Sequence, residues 1–188
     1  MPVDHSPAPP RRADAERNRD KILAAARSAF AESESEVSMA EISRRAGVGM
    51  ATLYRNFPGR RELLEDLFAG EVDALCTAAG RDGGTPGAAL MAWLRRFADF
   101  ATTKHHVATE LLAHADGDRV FGESRARVLA AGRPLLAAAQ HTREVRDDLT
   151  LEQVLDLIVA VARIRGGASY TEPILRTALD GLTRRSPG

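Results

Sequence analysis

The run from Ser38 to Phe57 constrains this chain more than any other stretch. Ser38 precedes an apolar helical pattern and Glu41 follows three positions later, a pairing that predicts a capping box at a helix start. Ile42 and Ala46 share one face of that helix, and Gly47 stands at its end, where a positive φ is cheap only for glycine. A second short helix is predicted from Gly49 to Asn56, burying Leu53 and Phe57, until Pro58-Gly59 stops it. Two short helices joined by a tight glycine turn form a helix-turn-helix candidate. Ile42, Ala46, Val48 and Leu53 supply the contact between them. The second helix then projects from its domain and fits a major groove, which is wide enough for one helix. The bare pattern also fits any helical hairpin that turns on a glycine.

The rest of the chain shows helical periodicity throughout, with no alternating strand pattern and no internal repeat. Ile22, Ala26 and Phe30 mark a helix from about Asp14 to Glu32. Leu63, Leu64, Leu67, Phe68, Val72 and Leu75 form the stripe of another from Arg60 to about Ala79. Further helices are predicted near 88–103, 106–115, 121–141 (with Pro134 as a kink), 151–164 and 172–182. Residues 1–13, with Pro2, Pro7, Pro9 and Pro10, are expected to be a disordered tail. Residues 14–75 would then form one domain, with the helix-turn-helix at 38–57, and residues 76–188 a second.

Composition narrows the function classes. The 188 residues carry 26 basic and 26 acidic side chains, so no global charge pulls the chain to DNA or membrane. Residues 1–61 nevertheless hold a surplus of basic residues that the remainder cancels, which predicts two surfaces with different partners. A single cysteine, Cys76, excludes an internal disulfide framework and a cysteine-based zinc finger. No run reaches the roughly 18 apolar residues of a membrane span. Pro, Arg and acidic residues interrupt the N-terminal stretch, so no signal peptide and a cytoplasmic setting are expected.

The flanks make the helix-turn-helix specific. The run Ser38-Met39-Ala40-Glu41-Ile42-Ser43-Arg44-Arg45-Ala46-Gly47-Val48-Gly49-Met50-Ala51-Thr52-Leu53-Tyr54-Arg55-Asn56-Phe57-Pro58-Gly59-Arg60-Arg61-Glu62-Leu63 closely resembles the TetR family of bacterial transcriptional regulators. Ala46-Gly47-Val48, then Thr52-Leu53-Tyr54 with Phe57 three positions on, then a basic residue and Glu-Leu, carry the resemblance, which covers about residues 15–75. It implies an all-α TetR-like fold: a three-helix N-terminal DNA-binding domain and a larger helical ligand-binding and dimerisation domain, about nine helices together.

The resemblance also assigns positions. Met50, Ala51 and Thr52 fall at the N-terminal end of the helix that family members dock in the major groove. Tyr54 matches a position that meets the DNA backbone or a thymine methyl, Asn56 a polar position near phosphate, and Arg60 a phosphate clamp opening the fourth helix. Ser38 matches a hydroxyl that both caps and touches phosphate. Gly49 stands where serine is common, which weakens the cap of the recognition helix. Met50 and Ala51 offer bases no strong donor, so direct readout would lean on thymine methyls, Tyr54 and Arg55.

For the second domain, the resemblance implies a small-molecule pocket and a homodimer. Trp93, Phe97 and Phe100 share a helical face and could line an apolar cavity with Leu129 and Leu136, though each equally suits tight core packing. Val154, Leu157, Ile158 and Val161 on one helix, and Ile174, Leu175, Ala178 and Leu179 on the next, are the expected dimer interface. The expected function is a ligand-responsive repressor that binds a palindromic operator on double-stranded DNA. No cofactor, catalytic group or membrane partner is expected.

Two other readings remain open at this stage. His106, Glu110 and His114 share one helix face and could serve a metal-dependent helical enzyme. Residues eight apart lie about 12 Å apart along a helix, too far to share one ion unaided. The helix-turn-helix could also serve only as a protein-interaction module.

Overall fold

A computed structural model describes residues 10–32, 37–80, 84–103, 105–112 and 117–184. Among these the chain forms nine helices. The expected all-α class is what is found. No helix among the described residues is long and apolar enough to cross a membrane. The chain divides into two compact units, one ending at Leu67 and the other starting at Phe68.

The first unit contains α1 (Pro10–Glu32), α2 (Met39–Ala46), α3 (Met50–Asn56) and the first turns of α4 (Arg60–Ala78). Residues 1–9 of the expected tail lie outside the described residues, but the chain is already helical from Pro10, ahead of the predicted Asp14. Proline suits the first turn of a helix, where its missing N–H has no partner to lose. The buried stripe of α1 is Ile22, Ala26 and Ala29, and Phe30 sits half-buried at its edge. At 3.6 residues per turn, position 29 falls in line with Ile22 and Ala26 while position 30 lies to one side, and the small alanine allows the closer approach. This stripe packs on α2 and α3 around Ile42, Leu53 and Phe57, all essentially without solvent exposure. Burial of each such side chain stabilises the fold by about 1.5–3 kcal/mol.

The second unit contains the rest of α4, then α5 (Pro86–Thr103), α6 (His105–Leu112), α7 (Gly117–His141), α8 (Leu151–Ala162) and α9 (Ala168–Asp180). α5 packs against α7 and α8, and α8 against α9. Trp93 of α5 is fully buried, and its indole N–H donates to the Leu75 carbonyl at 3.1 Å. Gly132 of α7 lies against that indole so closely that a Cβ there would come within 2.4 Å of the ring. α7 runs through Pro134 as one helix. α8 opens on a complete capping box: Thr150 Oγ1 accepts from the Gln153 amide, and Gln153 Oε1 accepts from the Thr150 amide.

The loop after α7 gathers distant parts of this unit. Arg143 turns it with a φ of 60°. The Glu144 carboxylate accepts from the Thr85 hydroxyl and the Gly87 amide at the start of α5, and from the Thr142 hydroxyl. Val145 and Thr183 form an isolated antiparallel bridge, Arg146 N donates to Leu182 O, and Arg184 pairs with Asp147 at 2.9 Å.

Candidate nucleic-acid interface and ligand cavity

The turn between α2 and α3 is built from the backbone outward. Ser38 caps α2 by accepting from the Glu41 amide at 3.2 Å. Only half of the predicted capping box forms, because the Glu41 carboxylate takes Arg44 at 2.7 Å and Arg45 at 2.7 Å. Hydrogen bonds from Arg44, then Arg45, hold the Glu41 carboxyl at about 2, well below 4.5. Gly47 adopts a φ of 65° and its amide donates to the Arg44 carbonyl. The buried Ser43 hydroxyl donates to the Val48 carbonyl at 2.6 Å, while the Val48 amide donates to the Ser43 carbonyl at 3.2 Å. Sequence reasoning missed this latch. Its signal was a serine beside Ile42 on the buried face of α2.

α3 then presents one face outward. Leu53 and Phe57 point into the core. Met50 is 39% exposed and Tyr54 47%, and Ala51 and Arg55 are exposed beside them, as positions i, i+1, i+4 and i+5 require. Gly49 caps this helix with no side-chain hydrogen bond, as expected of a residue that has none to offer. Arg55 folds back on its own helix, donating to Ala51 O at 3.3 Å and Thr52 Oγ1 at 3.1 Å. Asn56 is half-buried, and its amide nitrogen donates to Thr52 O at 2.8 Å.

Arg60, expected at the DNA backbone, turns inward. It donates to the Val37 carbonyl and lies 5.5 Å from the centre of the Phe30 ring. The cation is drawn there by a carbonyl oxygen at the start of α2 and by an aromatic face. Arg19 was not singled out from the sequence, yet it ties three parts of this unit together. It donates to Asn56 O at 3.1 Å, stacks over Phe57 at 4.5 Å and pairs with Asp66. No spacing pattern announces such a contact.

The second unit contains a cavity of about 480 Å³, within the usual range of about 300–1,000 Å³ for small-molecule sites. Phe97 and Phe100 line it as expected positions. Trp93 instead belongs to the packed core, and Leu129 and Leu136 are buried without lining the cavity. Phe68, Val72 and Phe121 complete its aromatic wall, with ring centres 4.8 Å apart for Phe68–Phe121 and 5.5 Å for Phe68–Phe100. Phe68 read from sequence as an ordinary core position of α4. Ser124, Arg125, Asp156 and Arg163 supply its polar groups.

Of the residues expected at a dimer interface, Val154, Ile158, Val161 and Leu179 are buried within the chain itself. Leu157 is 43% exposed, and Ile174, Leu175 and Ala178 are half-buried. Tyr170, at 61% the most exposed large apolar side chain among the described residues, lies on α9 and was not anticipated. For the histidine stripe, His114 and the side chain of His106 lie outside the described residues. Among the described residues, no three His, Cys, Asp or Glu side chains are grouped to hold a metal ion.

Comparison with known proteins agrees with this architecture. Residues 22–67 match the family described as bacterial regulatory proteins, tetR family. Residues 85–184 match the family described as the C-terminal domain of SbtR-like transcriptional regulators. The chain is similar to the TetR transcriptional regulator SCO0520 from Streptomyces coelicolor, with 37% identity and a TM-score of 0.74 over 89% of this chain and 99% of that one. It is also similar to a TetR regulatory protein from Mycobacterium vanbaalenii, with 33% identity and a TM-score of 0.70 over 93% of this chain and 100% of that one. Salmonella enterica GusR, at 21% identity, shares the fold with a TM-score of 0.63 over 88% of this chain and 95% of that one. No curated protein matches the chain. The helix-turn-helix with its outward α3, the helical second unit and these similarities lead to one conclusion: the chain belongs to the TetR family of bacterial transcriptional regulators.

Proposed function

We propose that this regulator is a cytoplasmic, ligand-responsive repressor that grips a palindromic operator as a homodimer and releases it when a small molecule fills the second unit. The observation that carries the reading is the exposed face of α3, Met50, Ala51, Tyr54 and Arg55, held out by a hydrogen-bonded turn. Ser38, exposed ahead of α2, and Thr52 and Asn56, half-buried on α3, would complete the contact. Arg60 holds Val37 O through one nitrogen, and a phosphate would compete for the same guanidinium through a charge-assisted hydrogen bond.

A lone recognition helix makes few contacts, so a twofold partner that reads a second half-site is required for useful affinity. Leu157, Ile174, Leu175 and Ala178 would meet the partner, backed by Val154, Ile158, Val161 and Leu179. The two α3 helices would then sit about 34–36 Å apart, one turn of DNA. α4 is one continuous helix that carries Arg60 in its first turn and Phe68 and Val72 on the cavity wall. An effector that favours a dimer with other spacing weakens DNA binding by linkage, and a coupling of about 1–3 kcal/mol changes affinity some 5–150-fold.

Selection from a random duplex pool tests this reading. An enriched inverted repeat, bound about tenfold more weakly by Tyr54→Ala at fixed salt while the dimer persists, is the expected result. A pool with no enriched sequence at low salt would leave a protein-interaction module in its place.

A further inference from the structure

The cavity is chemically lopsided. Its deep wall is Phe68, Val72, Phe97 and Leu155, all buried, whereas its charged side chains are exposed at the rim and Ser124 is half-buried. Of these charged groups, Arg125 and Arg163 are cations and Asp156 is an acid. Arg125 Nη1 lies 3.2 Å from Asp156 Oδ1, so that pair is internally balanced. Arg163, at the C-terminal cap of α8, makes no ion pair among the described residues. Among the described residues, the rim is thus left with one uncompensated positive charge above an aromatic floor.

From this arrangement we infer that the cavity takes an apolar monoanion, a fatty or aromatic carboxylate, with its hydrocarbon against the phenylalanines and its carboxylate on Arg163. The inference rests on the reading of this cavity as the effector site. A guanidinium offers a carboxylate two parallel N–H donors, and it does so at an apolar border where the interaction is less screened than in open solvent. A neutral alcohol of the same length would gain the floor but not the cation. A cationic amine would meet like charge. The ligand body must fit about 480 Å³, which suits a medium-chain or one- to two-ring acid better than a large conjugate.

Calorimetric titration of the full chain with decanoate, decanol and decylammonium tests the charge class alone. Decanoate is expected to bind about tenfold more tightly than decanol, equivalent to about 1.4 kcal/mol, with decylammonium the weakest. Arg163→Gln should erase the preference and leave decanol unchanged, and Arg163→Lys should keep most of it. Asp156→Asn, which frees Arg125, should tighten decanoate further. Equal affinities for decanoate and decanol overturn the inference while the cavity remains a ligand site. Binding of none of the three overturns it together with the reading of the cavity. Selective decanoate binding that fails to release operator DNA upholds the charge class and defeats only the effector role.

Discussion

Ser43 donates its hydroxyl to the Val48 carbonyl at 2.6 Å, and so ties the buried face of α2 to the residue that leads into α3. The bond crosses the glycine turn, where no helix ladder can brace the backbone. Ser43→Ala is expected to lower stability by about 1 kcal/mol. A shift of the urea midpoint at unchanged slope is the measurement, and an unmoved midpoint would assign the turn to packing alone.

Two glycines in that same turn should respond differently. Gly47 has a φ of 65° and Gly49 a φ of −71°, and a Cβ at either meets nothing within 4 Å. The difference is therefore backbone strain without a clash. Gly47→Ala is expected to cost about 1–2 kcal/mol. Gly49→Ser is expected to gain a few tenths, because it supplies the missing cap of α3. Thermal unfolding of the two variants side by side decides the matter.

Much of this turn was legible in the sequence because its determinants are local. Ser38, Gly47 and Gly49 act through neighbours in the chain, so their roles follow from position alone. Helical periodicity marked Leu53 and Phe57 as the inward positions of α3, and the outward set came from the resemblance. The second half of the capping box did not, because Arg44 and Arg45 compete for Glu41 within the same two turns. The resting position of Arg60 was not legible for a related reason: a cation at a helix start reads as reaching for an external anion, and only the fold brings Val37 O within its reach. Membership of the cavity was least legible. Trp93, Phe97 and Phe100 share a helix face, and only the neighbouring helices determine that the first is sealed while the other two border a void.

Close packing in the second unit makes another glycine testable. A Cβ on Gly132 would meet Trp93 at 2.4 Å and Leu151 at 2.9 Å. The indole has little room to yield, since it is buried and its N–H is bonded to Leu75 O. Gly132→Ala is expected to destabilise by about 1–3 kcal/mol through overpacking, partly offset by the better helix propensity of alanine. Gly122, on the same helix with open space around it, is the control: Gly122→Ala should stabilise by up to about 1 kcal/mol.

Acid should act partly through Glu41. Its carboxyl is held at about 2 by Arg44 and Arg45, against 4.5 when unfolded. Between those values the unfolded chain holds the proton and the folded chain does not, so stability rises with pH. The contribution is present above 4.5 and lost as pH falls through about 2. Glu144, Asp148 and Glu152 are also lowered by hydrogen bonds and give a background slope of the same sign. Glu41→Gln is therefore expected to flatten the urea midpoint against pH in this window without abolishing the slope. Parallel curves for the two proteins would show that the arginines hold Glu41 no better than water does.

The Glu144 loop has a mechanical meaning for the second unit. One short connection fastens the entry of α5 and the exit of α9, so the helical path is clasped into a ring rather than left as a string with two ends. Fraying at the exit of α9 strips ties from the same connection that steadies the entry of α5. Such a unit is expected to melt in a single step, and clipping it before Thr183 should loosen helices that lie far back along the chain.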